Sequence, residues 1–413
     1  MPAAPAVPCR EARVVRVDDV ERARRRLAGV VRATPPSHAA ALSRLAGRPV
    51  LLKPEHLQRT GSFKIRGAYN RIAVAASEGA TGVVAASAGN HGQGVALAAS
   101  LCSLTATVFM PADASLPKEE ATRGYGAAVV TGGDTIDDCI DAARAHAEAT
   151  GAVYVPPFDD PLVIAGQGTI GLELAVEAPE AEVVVVPVGG GGLLAGIAVA
   201  LAAQQRRPRV VGVEPVGAAS MTAALGRGEP VLLDTCDTIA DGVAVRRVSA
   251  LTLEHVREHV DDVVTVDDEQ ISEAVLLLLE RAKWVVEPAG AVGLAAVLAG
   301  AIPGSGPALA VLSGGNVDPL LLTRLVEHGL TAAGRYLCVR VVLRDRPGAL
   351  ARLARSLADL RLNILAVEHR RSGAPVAIGE VEVLLTMETR DPRHRDEVMA
   401  QLRAGGQRAE LIG

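Results

Sequence analysis

Short runs of continuously apolar, β-branched residues alternate along most of this chain with longer Ala- and Leu-rich runs whose polar positions recur at helical spacing. The strand-like runs fall at residues 50–53, 82–87, 105–110, 127–131, 182–188, 209–214 and 308–312. Helical patterns lie between them at 62–77, 90–101, 135–149, 192–203 and 268–283. Strands without a polar face, separated by helices, imply parallel pairing with both sheet faces covered. The expectation is a layered α/β architecture.

The pattern resets near Leu330, after a helix at 318–329 that ends on a glycine stop. Beyond this point the chain reads as a strand at 336–343, a turn at 345–348, a helix at 349–360, a strand at 363–371, a Gly/Pro turn, a strand at 378–387 and a helix at 393–402. A short last strand is expected at 409–413. This βαββα order predicts a ferredoxin-like α+β module.

Composition narrows the functional classes. Of 413 residues, 49% are apolar and 22% charged, which excludes wholesale disorder. Lys plus Arg is 42 against 47 Asp plus Glu, a net charge of −5 with no Lys/Arg cluster of the kind that tracks phosphates, so the chain is not expected to bind nucleic acid. With 1 Trp, 4 Tyr and 3 Phe it also lacks base-stacking surfaces. The five cysteines (Cys9, Cys102, Cys139, Cys236, Cys338) show no CxxC spacing and read as free buried thiols of a reducing compartment. No run reaches the ~18 to 20 apolar residues that span a bilayer, and residues 1–8 lack the basic start of a secretory signal. The expected location is the cytoplasm.

Four loops carry candidate chemistry. In Thr60-Gly-Ser-Phe-Lys-Ile-Arg-Gly67, Ser62 is a natural helix N-cap, which puts Lys64 in the first helical turn. The positive end of a helix disfavours a cation, and flanking Phe63 and Ile65 desolvate it, so the amine is pushed towards its neutral form. Such a lysine suits imine formation. Ser87-Ala-Gly-Asn-His91 follows a strand and opens a helix, a cradle of backbone N–H groups for a carboxylate or phosphate. Gly189-Gly-Gly-Gly-Leu193 does the same with four glycines. Because it contains Gly190-x-Gly192-x-x-Ala195, with Glu214 at the end of the next strand, a nicotinamide or flavin enzyme is a competing reading. Ser313-Gly-Gly-Asn316 offers a hydroxyl to a ring nitrogen.

Together and in this order, the four loops resemble those of fold-type II pyridoxal-phosphate enzymes, and most closely the threonine ammonia-lyase (threonine dehydratase) group; the stretches at 239–245 and 287–291 look like that group too. The resemblance spans residues 14–329. It implies a two-lobed parallel-sheet catalytic domain at 1–330, with a smaller lobe inserted at about 55–155. The tail at 336–413 resembles an ACT domain, an amino-acid-binding regulatory module. Carried over by motif, Lys64 would hold pyridoxal 5'-phosphate as a Schiff base and act as general base. Phe63 would lie near the ring, Asn90 would hydrogen-bond its phenolic oxygen, and Ser313 would contact its ring nitrogen. Gly189, Gly190, Gly191, Gly192 and Leu193 would cradle the phosphate, and Glu287 would lie near the cofactor. Ser87, Ala88, Gly89, Asn90 and His91 would capture the substrate carboxylate.

The implied reaction is elimination from L-threonine to 2-oxobutanoate and ammonia, with L-serine as a secondary substrate. Serine racemases are similar but carry a second serine where this chain has Ala88. A racemase-like metal site would use Glu214 and the Ala218 carbonyl, yet Ser220 stands where a carboxylate is expected, so no metal is assigned. In the ACT-like tail, Pro347, Gly348, Ala349 and Leu350 form a turn that offers N–H groups to an effector carboxylate, and Asn363 and Ile364 are expected in the same pocket. Branched-chain amino-acid feedback, in isoleucine biosynthesis, and a homodimer or homotetramer are the family expectations.

Overall fold

The computed structural model describes residues 14–371 and 376–412; Cys9, the start at 1–8, the centre of the Gly/Pro turn and Gly413 lie outside the described residues. The chain divides into two compact units, Met1–Asp318 and Pro319–Gly413. The division falls ahead of Leu330, because the helix Pro319–Ala332 belongs with the second unit.

The first unit is built on two sheets. The larger runs in the order Ser37–His38, Val50–Lys53, Ala308–Val311, Val183–Pro187, Arg209–Pro215, Asp262–Val266, and only its first pairing is antiparallel. The smaller, inserted between Val50–Lys53 and Val183–Pro187 in sequence, runs Ala128–Thr131, Thr105–Met110, Gly82–Ala86, Val153–Tyr154, all parallel. The unbroken apolar runs are explained by burial on both faces: every residue of Val183–Pro187 and of Gly82–Ala86 is buried. Helices Gly192–Ala202 and Pro288–Leu298 are buried nearly all round and carry no polar stripe, as expected for helices packed inside a layer.

Two local expectations fail. Ser62 does not cap the lysine helix: Phe63 holds the N-cap position, the helix runs Lys64–Ser77, and the Ser62 hydroxyl is buried without a hydrogen-bond partner. Ser62 is extended and bridges Gly314 instead, so the loop is fixed by the sheet side rather than by its own cap. The helix expected over 268–283 stops at Leu277, widens into a π-turn at Leu278–Ala282, and ends at Lys283 with a φ of 62°. A π-turn absorbs one extra residue without breaking the helical path.

The lysine helix is anchored from behind by buried charge. Arg66 and Glu55 are both fully buried and pair through two bonds of 2.8 Å, while Arg66 also reaches Glu173 at 2.5 Å. Lys53, at the end of its strand, donates to Glu173 at 2.7 Å and Glu177 at 2.9 Å. Burial opposes the charge on Glu55, but the Arg66 guanidinium, helped by Thr34 and Lys53, holds its carboxyl below the ordinary range.

The second unit is a four-stranded antiparallel sheet in the order Asn363–Arg370, Glu380–Glu388, Tyr336–Arg344, Arg408–Leu411, backed by helices Ala349–Asp359 and Pro392–Ala404. Alternating burial along Tyr336–Arg344 and Glu380–Glu388 puts Val339, Val341, Val383, Leu385 and Met387 under the helices. This is the ferredoxin-like arrangement expected. Among the described residues the cysteines Cys102, Cys139, Cys236 and Cys338 are free, although only Cys139 is fully buried. No described helix is long and apolar enough to cross a membrane.

Candidate active site

The four loops singled out in the sequence each leave the C-terminal end of a parallel strand, where open α/β sheets leave a crevice for ligands. They converge on one cleft of about 340 Å³. It is lined by Phe63 and Lys64, by Ser87, Ala88, Gly89, Asn90 and His91, by Gly189, Gly190, Gly191, Gly192 and Leu193, and by Glu287 and Ser313. Pro157, Phe158, Lys118, Ile136 and Asp241, which the sequence did not mark as site residues, also line it. Asp241 lies in the family-like stretch at 239–245; Lys118 and Phe158 carry no motif that would mark them.

Lys64 opens its helix, and its Nζ donates to the Pro157 carbonyl at 3.1 Å and lies 5.1 Å from the centroid of the Phe63 ring. Burial pushes its amine down to about 8, with Glu287 pulling the other way. Glu287 is raised to about 7, by burial first and then by Asp241; the amide of Asn90, which donates to its Oε1 at 2.6 Å, opposes the shift. His91 is buried, its Nε2 lies 2.8 Å from the Val155 carbonyl, and burial together with Lys64 lowers it to about 3, so the ring is neutral. At the mouth, Lys118 of helix Leu116–Gly124 reaches Asp241 at 2.5 Å and ties the smaller sheet's side of the cleft to the larger.

The glycine loop fits an anion. Gly191 has a φ of 88° and caps the helix Gly192–Ala202, so free N–H groups and the positive helix end face the cleft. At Gly190 a Cβ would collide with the Phe158 ring, so the loop lies flat against its floor only because it has no side chains. A partly neutral amine, an anion cradle and the Ser313 hydroxyl, only weakly held by the Ala289 carbonyl at 3.4 Å, meet the needs of a phosphorylated aldehyde with a ring nitrogen.

Glu214 belongs elsewhere. It is fully buried and accepts from the Met221 and Thr222 backbones at 2.7 and 2.8 Å and from the Thr222 hydroxyl at 2.7 Å, capping the helix Ser220–Arg227. Both oxygens are engaged, so the carboxylate is not presented to a ribose as the dinucleotide reading requires, and that reading loses its second element.

Site and fold thus define a cleft for a covalently held, phosphorylated aldehyde cofactor on a two-lobed parallel scaffold. The chain belongs to the pyridoxal-phosphate-dependent enzyme family, whose model matches residues 27–314, and residues 339–404 match the ACT domain. Its cofactor is pyridoxal 5'-phosphate. An L-threonine ammonia-lyase of Thermotoga maritima is 46% identical over 402 residues, covering 97% of this chain and 100% of the relative. A solved threonine deaminase from T.th. superposes with a TM-score of 0.69 at 44% identity, over 73% of this chain and 99% of that one. Maize serine racemase superposes with a TM-score of 0.72 at 35% identity, over 78% and 99%.

Proposed function

We propose that this chain is an L-threonine ammonia-lyase that converts L-threonine to 2-oxobutanoate and ammonia and accepts L-serine as a lesser substrate. The observation that carries this reading is the Lys64 amine, lowered to about 8 in the same cleft as a glycine loop at a helix N-terminus. When bound, pyridoxal phosphate supplies the electron sink that lets the substrate's Cα–H bond break and the β-hydroxyl leave. Lys64 would hold the cofactor through Nζ, and its free amine would take the Cα proton as general base. Gly189 to Leu193 would hold the phosphate, and the Ser313 hydroxyl would meet the ring nitrogen. A hydroxyl there, unlike a carboxylate, would not enforce a protonated ring, which suits loss of a β-substituent. Phe63 would flank the ring, and Asn90 would donate to its phenolic oxygen.

Backbone groups of Ser87 to His91 take the substrate carboxylate at the start of helix Asn90–Leu101. Ala88 separates this reading from racemisation, which the likeness to maize serine racemase would otherwise favour equally. Proton exchange on both faces needs a second acid–base group opposite the lysine, and a methyl group supplies none. The ACT domain adds an amino-acid effector. Within one copy, though, the expected effector residues do not meet. Asn363 and Tyr336 both pair with Glu388, from opposite sides, and so lie at the same end of the sheet, whereas the turn with Gly348 follows Arg344 at the other end of the Tyr336–Arg344 strand, about 27 Å away. Each copy therefore offers two half-sites, Pro347 to Leu350 and Asn363 with Ile364, and a pocket that uses both halves joins two chains.

Borohydride reduction of the purified holoenzyme should fix the cofactor on the peptide carrying Lys64, and a substrate panel should give 2-oxobutanoate from threonine faster than pyruvate from serine. Lys64→Ala should keep the fold and lose turnover. Wild-type-like turnover in Lys64→Ala would refute the general-base assignment, and racemisation outrunning ammonia release would favour the alternative.

A further inference from the structure

The Asn90 side chain carries one donor and one acceptor end of nearly equal shape, and only its donor end suits a phenolic oxygen that bears negative charge. What decides which end faces the cleft is visible in the structure. The amide nitrogen of Asn316 donates to the backbone carbonyl of Thr60 at 2.7 Å and to Oδ1 of Asn90 at 2.7 Å. A backbone carbonyl only accepts, so Asn316 cannot turn over without setting its oxygen against another oxygen. With Oδ1 of Asn90 taken by Asn316, its Nδ2 must face the other way, and there it donates to Glu287 at 2.6 Å.

The surroundings are arranged around this contact. Thr60 is a non-glycine residue in the left-handed region, with φ 61° and ψ 14°, a conformation kept only where the neighbouring structure demands it. The next residue, Gly61, has a φ of 70°, and a Cβ there would overlap the Asn316 side-chain oxygen. The strained Thr60 turns its carbonyl towards Asn316, and Gly61, without a side chain, leaves room for the amide.

We infer that Asn316 is a positioning residue that fixes the direction of the Asn90 amide, so that the nitrogen of Asn90 rather than its oxygen is offered to the cleft. The inference rests on the proposed placement of Asn90 against the cofactor's phenolic oxygen. A donor there stabilises negative charge on that oxygen and lowers the pH at which the visible absorption band of the bound cofactor titrates. Releasing Asn90 leaves its amide free to turn, which weakens the donor and raises that pH.

The test is a double-mutant cycle read by the cofactor's dissociation constant and by the titration midpoint of its visible band, with thermal melting as the folding control. Asn316→Ala should weaken cofactor binding about fivefold and raise the midpoint, as for the loss of one hydrogen bond. Asn316→Asp, which has the same shape but only acceptors, should shift both further. Asn90→Ala alone should do at least as much as Asn316→Ala, and adding Asn316→Ala to it should change neither reading. If Asn316→Ala has the same effect with and without Asn90, the residue is merely structural and the inference falls. If Asn90→Ala itself leaves both readings unmoved, the placement of Asn90 fails, and the inference with it, while normal readings for Asn90→Ala/Asn316→Ala relative to Asn90→Ala support it.

Discussion

Lys64 owes its lowered basicity to position more than to any partner, since burial is the leading cause and its acidic neighbour Glu287 works against it. At pH 7 the amine is still mostly protonated, and it becomes the nucleophilic neutral form as pH rises through about 8, well before an ordinary lysine near 10.5. In the cofactor-free protein, trapping of a small aldehyde on this residue should therefore rise with a midpoint near 8. Glu287→Gln removes the opposing charge and should move that midpoint lower still. A midpoint near 10 in the unsubstituted protein would show that the cleft does not desolvate the amine. The sequence made this legible through Phe63 and Ile65 on either side, but it named the wrong cap, because Ser62 is claimed by Gly314 on a distant strand end.

At the scale of elements, all four loops were readable because each follows a buried, mostly apolar strand and leads to a helix, and parallel sheets put such junctions on one edge. Phe158 and Lys118 were not readable: each is a single side chain that only the closing of the two sheets brings to the cleft. Glu214 misled for a related reason, since spacing along a strand cannot show that the next helix has captured its oxygens. The Glu55–Arg66–Glu173 cluster also emerged only in three dimensions, and it fixes the turn that carries Lys64. Arg66→Leu leaves Glu55 buried without its guanidinium and should destabilise the first unit by about 3–5 kcal/mol in urea unfolding; a loss under about 1 kcal/mol would mean the cluster is not sealed from water. Because Glu55 is held below the ordinary carboxylate value of 4.5, its contribution is present above that pH and is lost as pH falls through its folded value. The acid limb of the stability curve should flatten in Arg66→Leu.

For the whole molecule, the residues lining the candidate cleft all lie in the first unit, whereas the two half-sites proposed for an effector lie at opposite ends of one sheet of the second. Mass action then treats the two functions differently. Dilution into the concentration range where chains separate should erase the response to an amino-acid effector while turnover per chain persists, and titrating protein concentration against inhibition at fixed effector would reveal it. A response that survived at the lowest concentrations would place both halves of the effector's contacts in a single chain. Sensitivity to feedback would otherwise be a property of abundance as well as of ligand.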